Sequence, residues 1–299
     1  MTRRHSSHRS TTRGIAALAA ITPALVLLGG CTSAPLDKDS TAHALLDSTT
    51  GRIVLPLEEY DYYGDDANAA IGNRALDTVT ARCMAGQGFA YSAASVEEDP
   101  EHSGGDRTYG LWDEERARRW GFGFAPSRVS AAKAADAAAG GEAWTTAVGR
   151  CEEETDPALM AILPGNDEST DSSVSRIATE AYSAARADPL WQTARDAWAS
   201  CVRDAGLTPR SGSSEWGVEQ EDAVRTGADG ASSNSEEEIR LATVEAHCNT
   251  ETGLSQTLGD LEASYQAPLI AQNQAALNEI KTRNQERLAA LRDYVAAHG

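Results

Sequence analysis

Apolar residues follow two patterns along this chain. Near the start they form one run of 14 residues, Ile15 to Leu28. From about residue 53 onward they recur at helical spacing, with polar residues between them. That spacing predicts a helix over 67–87. A second helix begins after Asp188, a good N-cap, with Pro189 in the first helical position. Its apolar face holds Trp191, Ala194, Trp198, Cys201, Val202 and Ala205. The last segment, about 255–297, carries the longest stripe: Leu258, Leu261, Tyr265, Leu269, Asn273, Leu277, Ile280, Asn284, Leu288, Leu291 and Val295. Ten steps over 37 residues give 3.7 per step, a nearly straight helix rather than a 3.5-period coiled coil. Pro268 is expected to bend or break it.

Less regular stretches lie between these helices. Ile53-Val54-Leu55-Pro56-Leu57 reads as the first ordered element, followed by an acidic-aromatic patch, Glu58 to Asp66. Asp113 caps a short helix with an acidic first turn and a basic last turn, which Gly121 ends. Phe122 to Pro126 reads as a turn or short strand. Residues 165–173 and 210–235, rich in Gly, Ser, Asp and Asn, read as loops or disordered insertions. Asn166-Asp167-Glu168 and Asp229-Gly230 lack the full calcium-loop spacing.

One pattern recurs: Cys, four residues, Gly, then an apolar residue, at Cys83–Phe89, Cys201–Leu207 and Cys248–Leu254. It describes a helix C-terminus with a left-handed glycine, whose following apolar residue folds back onto the last turn at Met84 and Val202 in the first two copies. Cys151 precedes Asp156-Pro157, which stops a helix by another route. Aligning Cys83 with Cys201 gives two halves, 53–165 and 166–299, and pairs Cys83 with Cys151 and Cys201 with Cys248.

The first apolar run has a different meaning. Arg3, Arg4, Arg9 and Arg13 precede it with no acid, and Gly29-Gly30-Cys31 follows it. A basic segment, a short apolar core and small residues before a cut describe an export signal over 1–30. A membrane-spanning helix needs about 20 apolar residues, so the run is too short to remain as an anchor. Leu28-Gly29-Gly30-Cys31 resembles the bacterial lipobox, which implies lipidation of Cys31 and residence on the outer face of the cell membrane. Residues 31–52 are small and polar and read as a flexible tether.

Beyond residue 30, 22 basic residues face 45 acidic ones, a net charge of −23. This argues against nucleic acid as a partner and against electrostatic adhesion to anionic lipid. Lysine occurs only three times. Four cysteines after Cys31 suit two disulfides in an exported chain. No cysteine pair has CxxC spacing, and His43, His102, His247 and His298 make no metal pattern, so neither metal nor cofactor is expected. No nucleophile elbow, HExxH, P-loop or dinucleotide fingerprint occurs, and nothing selects one acid–base pair from the carboxylates, so no catalytic residue is assigned. Tyr109, Trp112, Trp120 and Phe122 lie in the most aromatic stretch and are the candidate binding residues. The alternative is a small core packed under a loop.

Leu55-Pro56-Leu57, Cys83-Met84 with Gly88-Phe89, Tyr109-Gly110 with Gly121-Phe122, Trp198-Ala199-Ser200-Cys201 and the Cys248 helix occur in that order. In this the chain resembles a group of uncharacterised actinobacterial lipoproteins over most of 53–297. The resemblance implies export and lipidation but no activity. Val202 stands where the group's pattern has Met, and the loops are enlarged.

The expected fold is mainly α: a disulfide-stapled helical domain of two related halves, a little irregular or β structure near 53–57 and 107–126, and a long C-terminal helix. The expected function is a non-catalytic, membrane-anchored envelope protein that binds a partner protein or cell-wall component. The alternatives are an extracytoplasmic enzyme with a carboxylate-based site and a solute-binding receptor for a transporter. The receptor is weakened because the chain does not alternate strands with helices.

Overall fold

The computed structural model of the chain describes residues 36–64, 66–99, 102, 105–165, 172–211, 216–224 and 235–299. The export signal, Cys31, Asn166-Asp167-Glu168 and Asp229-Gly230 lie outside them. Two strands, β1 (Leu45–Asp47) and β2 (Arg52–Val54), pair antiparallel with Leu46 opposite Ile53. Two 3₁₀ turns follow, Pro56–Tyr60 and Tyr62–Gly64. Nine helices are then found among the described residues: α1 (Asp66–Gly86), α2 (Glu114–Trp120), α3 (Arg128–Glu153), α4 (Pro157–Ile162), α5 (Ser173–Ala187), α6 (Pro189–Asp204), α7 (Glu221–Val224), α8 (Glu236–Thr252) and α9 (Leu254–His298). The fold is mainly helical, as the periodicity predicts. None of these helices is long and apolar enough to cross a membrane.

The stripe read along the last segment is the axis of the fold. Leu258, Leu261, Leu269, Leu277 and Leu291 are buried, and none of the remaining stripe positions is exposed. Helix α9 packs against α1, α4, α5, α6, α8, β1 and the turn at Pro56–Tyr60. Helices from both expected halves therefore share one support, and Leu36–Gly299 forms one unit with no boundary at 165. Pro268 lies inside α9 without breaking it.

The main core joins Ile53, Tyr109, Phe122, Trp191, Trp198, Val202, Leu241, Leu254 and Leu258. Asp188 caps α6 by accepting from the Leu190 amide at 2.9 Å, and the tryptophan pair is core. A separate cluster, Met84, Tyr91, Trp144, Ala147 and Cys151, fastens α3 to α1. Each cluster has its own disulfide beside it: Cys201–Cys248 joins α6 to α8, and Cys83–Cys151 joins α1 to α3.

The recurrent glycine motif behaves as expected twice. Gly88 and Gly206 have positive φ, and the Phe89 and Leu207 amides return to the Met84 and Val202 carbonyls at 3.0 and 3.1 Å. The third copy differs. Gly253 ends α8 but also opens α9, because Leu254 is drawn at once into the core.

Two expectations are corrected and one is narrowed. Residues 36–52, read as part of the tether, are packed: Lys38 pairs with Asp188 at 2.9 Å, and the Ala44 amide donates to Asp260 at 2.9 Å. Apolar Leu36 and Ala44 supply the burial that a composition of small polar residues concealed. Residues 107–126, expected to hold a short helix with irregular or β structure around it, contain α2 and turns, since their backbone is held by side chains of α8 and α9. Residues 216–224, read as loop, include α7 and one β-bridge between Pro209 and Val218.

Candidate functional site

The aromatic stretch divides into core and surface. Tyr109 is fully buried; its hydroxyl donates to Glu262 Oε2 at 2.5 Å, and its ring meets Trp191 edge-on at 5.8 Å. Phe122 is buried too, and its amide donates to Glu238 Oε1 at 3.2 Å. Trp112 and Trp120 are partly buried. With Gly51, Asp106, Arg116 and Phe124 they line a shallow cleft beside α2. The Trp112 indole donates to the Asp106 carbonyl at 2.9 Å, whereas the buried Trp120 Nε1 has no acceptor among the described residues. Arg107 holds the far edge, donating to the Phe122 and Gly123 carbonyls at 2.7 and 2.9 Å beneath the exposed Phe124 ring.

A set of buried polar side chains accompanies this stretch. Glu238, Glu245 and Asn249 lie on the inner face of α8; Ser255, Glu262 and Gln266 lie on α9. Each takes a backbone or side-chain partner from an irregular segment. Glu238 accepts the Phe122 amide, Glu245 the Val218 amide at 2.9 Å, and Gln266 the Leu57 amide at 3.0 Å. Asn249 and Ser255 both donate to the Tyr109 carbonyl. Buried backbone polar groups require such partners, so these residues fasten non-helical chain to a helical body.

Burial sets the acidity of these groups. It pushes Glu245 up to about 8, and the Glu221 carboxylate adds to the rise. Burial also raises Glu262, despite hydrogen bonds from Tyr109 and Gln266. Tyr109 is raised by burial and then by Glu262, so it remains a phenol and a donor. Glu58, half-buried beside Arg52, is pushed up by that burial to about 7. Raised carboxyls occur in catalytic sites, but these point at loop amides and at one tyrosine rather than jointly into a cavity. Among the described residues, no three of His, Cys, Asp and Glu converge to hold a metal.

A groove that sequence reasoning missed lies between the Tyr60–Tyr63 segment, the start of α5 and residues 280–287 of α9. Its cavity volume is about 150 Å³. Its lining comes from four separate stretches of chain, so no local motif announced it. The paired arginines one turn apart on α9, Arg283 and Arg287, were the signal available in the sequence.

No protein family, curated protein or solved structure matches this chain.

Proposed function

We propose that the chain is an exported lipoprotein, held at the outer face of the cell membrane by acyl groups on Cys31, whose helical body binds an envelope protein or cell-wall component without catalysis. The observation that carries this reading is the use of cysteine. Five cysteines occur, and four are consumed in two long-range disulfides. The fifth is the one that follows the basic and apolar leader, at the position the lipobox pattern gives to the lipidated residue. Disulfides of this kind persist in oxidising compartments.

Binding is favoured over a carboxylate enzyme because Glu238, Glu245 and Glu262 are engaged in holding loops. A transporter receptor is disfavoured by a body of helices around one long helix. The cleft of Trp112 and Trp120 is the proposed contact for the partner, since indole faces stack on sugars and on partner side chains. The experiment for the anchor is Cys31→Ser followed by cell fractionation. Release from the membrane fraction, with an acyl mass on the parent's N-terminal peptide, is expected. Membrane retention with no acyl mass overturns the reading.

A further inference from the structure

Composition alone makes residues 31–52 a flexible tether, with a reach of up to about 75 Å from Cys31. The fold shortens it. From Leu36 on, the chain is laid along α9. The Asp39 amide donates to the Ser264 carbonyl at 2.8 Å, and one helical turn earlier on α9 the Ala44 amide donates to Asp260 at 2.9 Å. Leu36 packs against the cluster of Leu57, Tyr60, Ile177 and Leu277. Lys38 pairs with Asp188 at 2.9 Å and stands over the Tyr265 ring at 5.6 Å; the Tyr265 hydroxyl donates to the same Asp188 at 3.0 Å. Only residues 32–35 then separate Cys31 from Leu36. Five peptide steps span at most about 18 Å.

The surface beside that entry point is apolar and uncovered. The corner between α5 and α6 reads Ala187-Asp188-Pro189-Leu190. Ala187 and Pro189 are exposed, and Leu190 is 51% exposed on a helix whose other face is core. Asp188, which Lys38 grips, lies inside this corner, two positions from Leu190. Lys38 matches its charge, so the corner offers apolar surface rather than charge. An acyl anchor turns contact between corner and bilayer into an intramolecular event, at an effective concentration of about millimolar for a short linker. A leucine too weak to hold a free protein on lipid then suffices, against the repulsion of a body that carries −23 beyond residue 30. We propose that the short tether holds the α5–α6 corner against the outer face of the membrane, with Leu190 set among the lipid headgroups and upper acyl chains. The proposal rests on the lipidation of Cys31, and it makes lipid, rather than a protein, the cover of Leu190.

The test uses the acylated chain in vesicles of phosphatidylglycerol and phosphatidylcholine that carry a nitroxide lipid as quencher. Four cysteines are in disulfides and the fifth carries the anchor, so one introduced cysteine can be labelled with a fluorophore. Ala187→Cys reports on the corner and leaves Leu190 in place. Met160→Cys is the control. Met160 is 54% exposed, but α4 docks at Arg287 and Tyr294 of α9, about 35 Å along that helix from Tyr265. Quenching at 187 is expected to exceed that at 160 by about twofold or more, and Leu190→Ser should bring it down towards the control at an unchanged melting temperature. A Gly/Ser insert of about 20 residues after Pro35 should abolish the difference, since a longer flexible linker lowers the effective concentration. Equal quenching at both sites in acylated protein overturns the orientation and leaves the anchor standing. Quenching at 187 that survives Leu190→Ser overturns the part given to Leu190, and a difference that survives the insert overturns the short tether as its cause. Absence of an acyl mass on the N-terminal peptide removes the anchor, and this inference with it.

Discussion

The backbone amide of Asp39 donates to the carbonyl of Ser264 across 2.8 Å. In an uninterrupted helix that carbonyl would accept from the residue four positions on. Here that residue is Pro268, which has no N–H. Helix α9 therefore continues through its proline because an irregular segment 225 residues earlier in the chain supplies the missing donor. Asp39 is itself shaped for this: its carboxylate accepts from the Thr41 amide and hydroxyl at 2.9 and 2.7 Å, closing the turn that presents the amide. One substitution in α9 and the ordering of residues 36–44 are thus coupled.

This coupling is measurable by amide hydrogen exchange. The Asp39 amide should exchange about tenfold more slowly than an exposed turn amide, the worth of one net hydrogen bond of about 1.4 kcal/mol. Pro268→Ala restores a donor within the helix, so Asp39 protection should fall while the Ser264 region of α9 stays protected. Unchanged exchange at Asp39 in Pro268→Ala would show that the carbonyl is not shared between the two donors.

The periodicity exposed the helices because their apolar residues face one core at a fixed spacing. It revealed α1, α6 and α9 nearly to the residue, and the cysteine–glycine motif placed both helix ends and disulfide partners. It did not reveal the role of Glu238, Glu245 and Glu262. Their signal was present, since Glu238, Leu241, Ala242, Glu245 and Asn249 share one face of α8, but acids are so common in this chain that three buried ones look like three solvated ones. The Trp112–Trp120 cleft was legible as a local run of aromatics. The groove on α9 was not, because Tyr63, Val174 and Arg283 meet only after the chain has folded.

The two disulfides should differ in what they protect. Their spans of 47 and 68 residues give each about 4 kcal/mol in the chain-entropy model. Cys201–Cys248 adjoins the main core, so Cys201→Ala with Cys248→Ala should lower the melting temperature of the whole unit. Cys83–Cys151 fastens α3, whose other attachment is a small separate cluster. Cys83→Ala with Cys151→Ala should therefore speed proteolysis within 128–153 before global unfolding. Equal proteolysis of α3 in both double variants would refute this division.

Leu277 tests whether α9 is a support for its own domain or a surface for a partner. It is fully buried against Leu57, Tyr60 and Ile177. Leu277→Ala should cost about 2–5 kcal/mol in urea unfolding, through lost burial and a residual cavity. A cost below about 1 kcal/mol would mean that the cluster is not packed in solution.

Tyr109 and Trp112 allow the buried part of the aromatic stretch to be tested apart from the proposed contact. Tyr109→Phe removes the donor to a buried carboxylate and should cost about 1–3 kcal/mol. Trp112→Ala with Trp120→Ala should leave the fold cooperative and abolish partner pull-down. Loss of cooperativity without any effect on a partner would assign both tryptophans to the core.

Glu245 predicts a direction of pH dependence. Its ordinary value is 4.5, and burial raises it to about 8 in the folded chain. Between these values the folded chain retains a proton that the unfolded chain has lost. The stabilisation is complete below about 4.5 and is lost as pH rises through about 8. Glu245→Gln keeps an oxygen for the Val218 amide and cannot ionise. The variant should therefore gain on the parent as pH rises, by about 1–3 kcal/mol between about pH 5 and about pH 9 in urea unfolding. Glu58 and Glu262 titrate alike in both proteins, so the difference isolates Glu245. A difference that stays flat or falls with pH would show that Glu245 ionises freely, and that the loop ending at Val218 is held by some other contact.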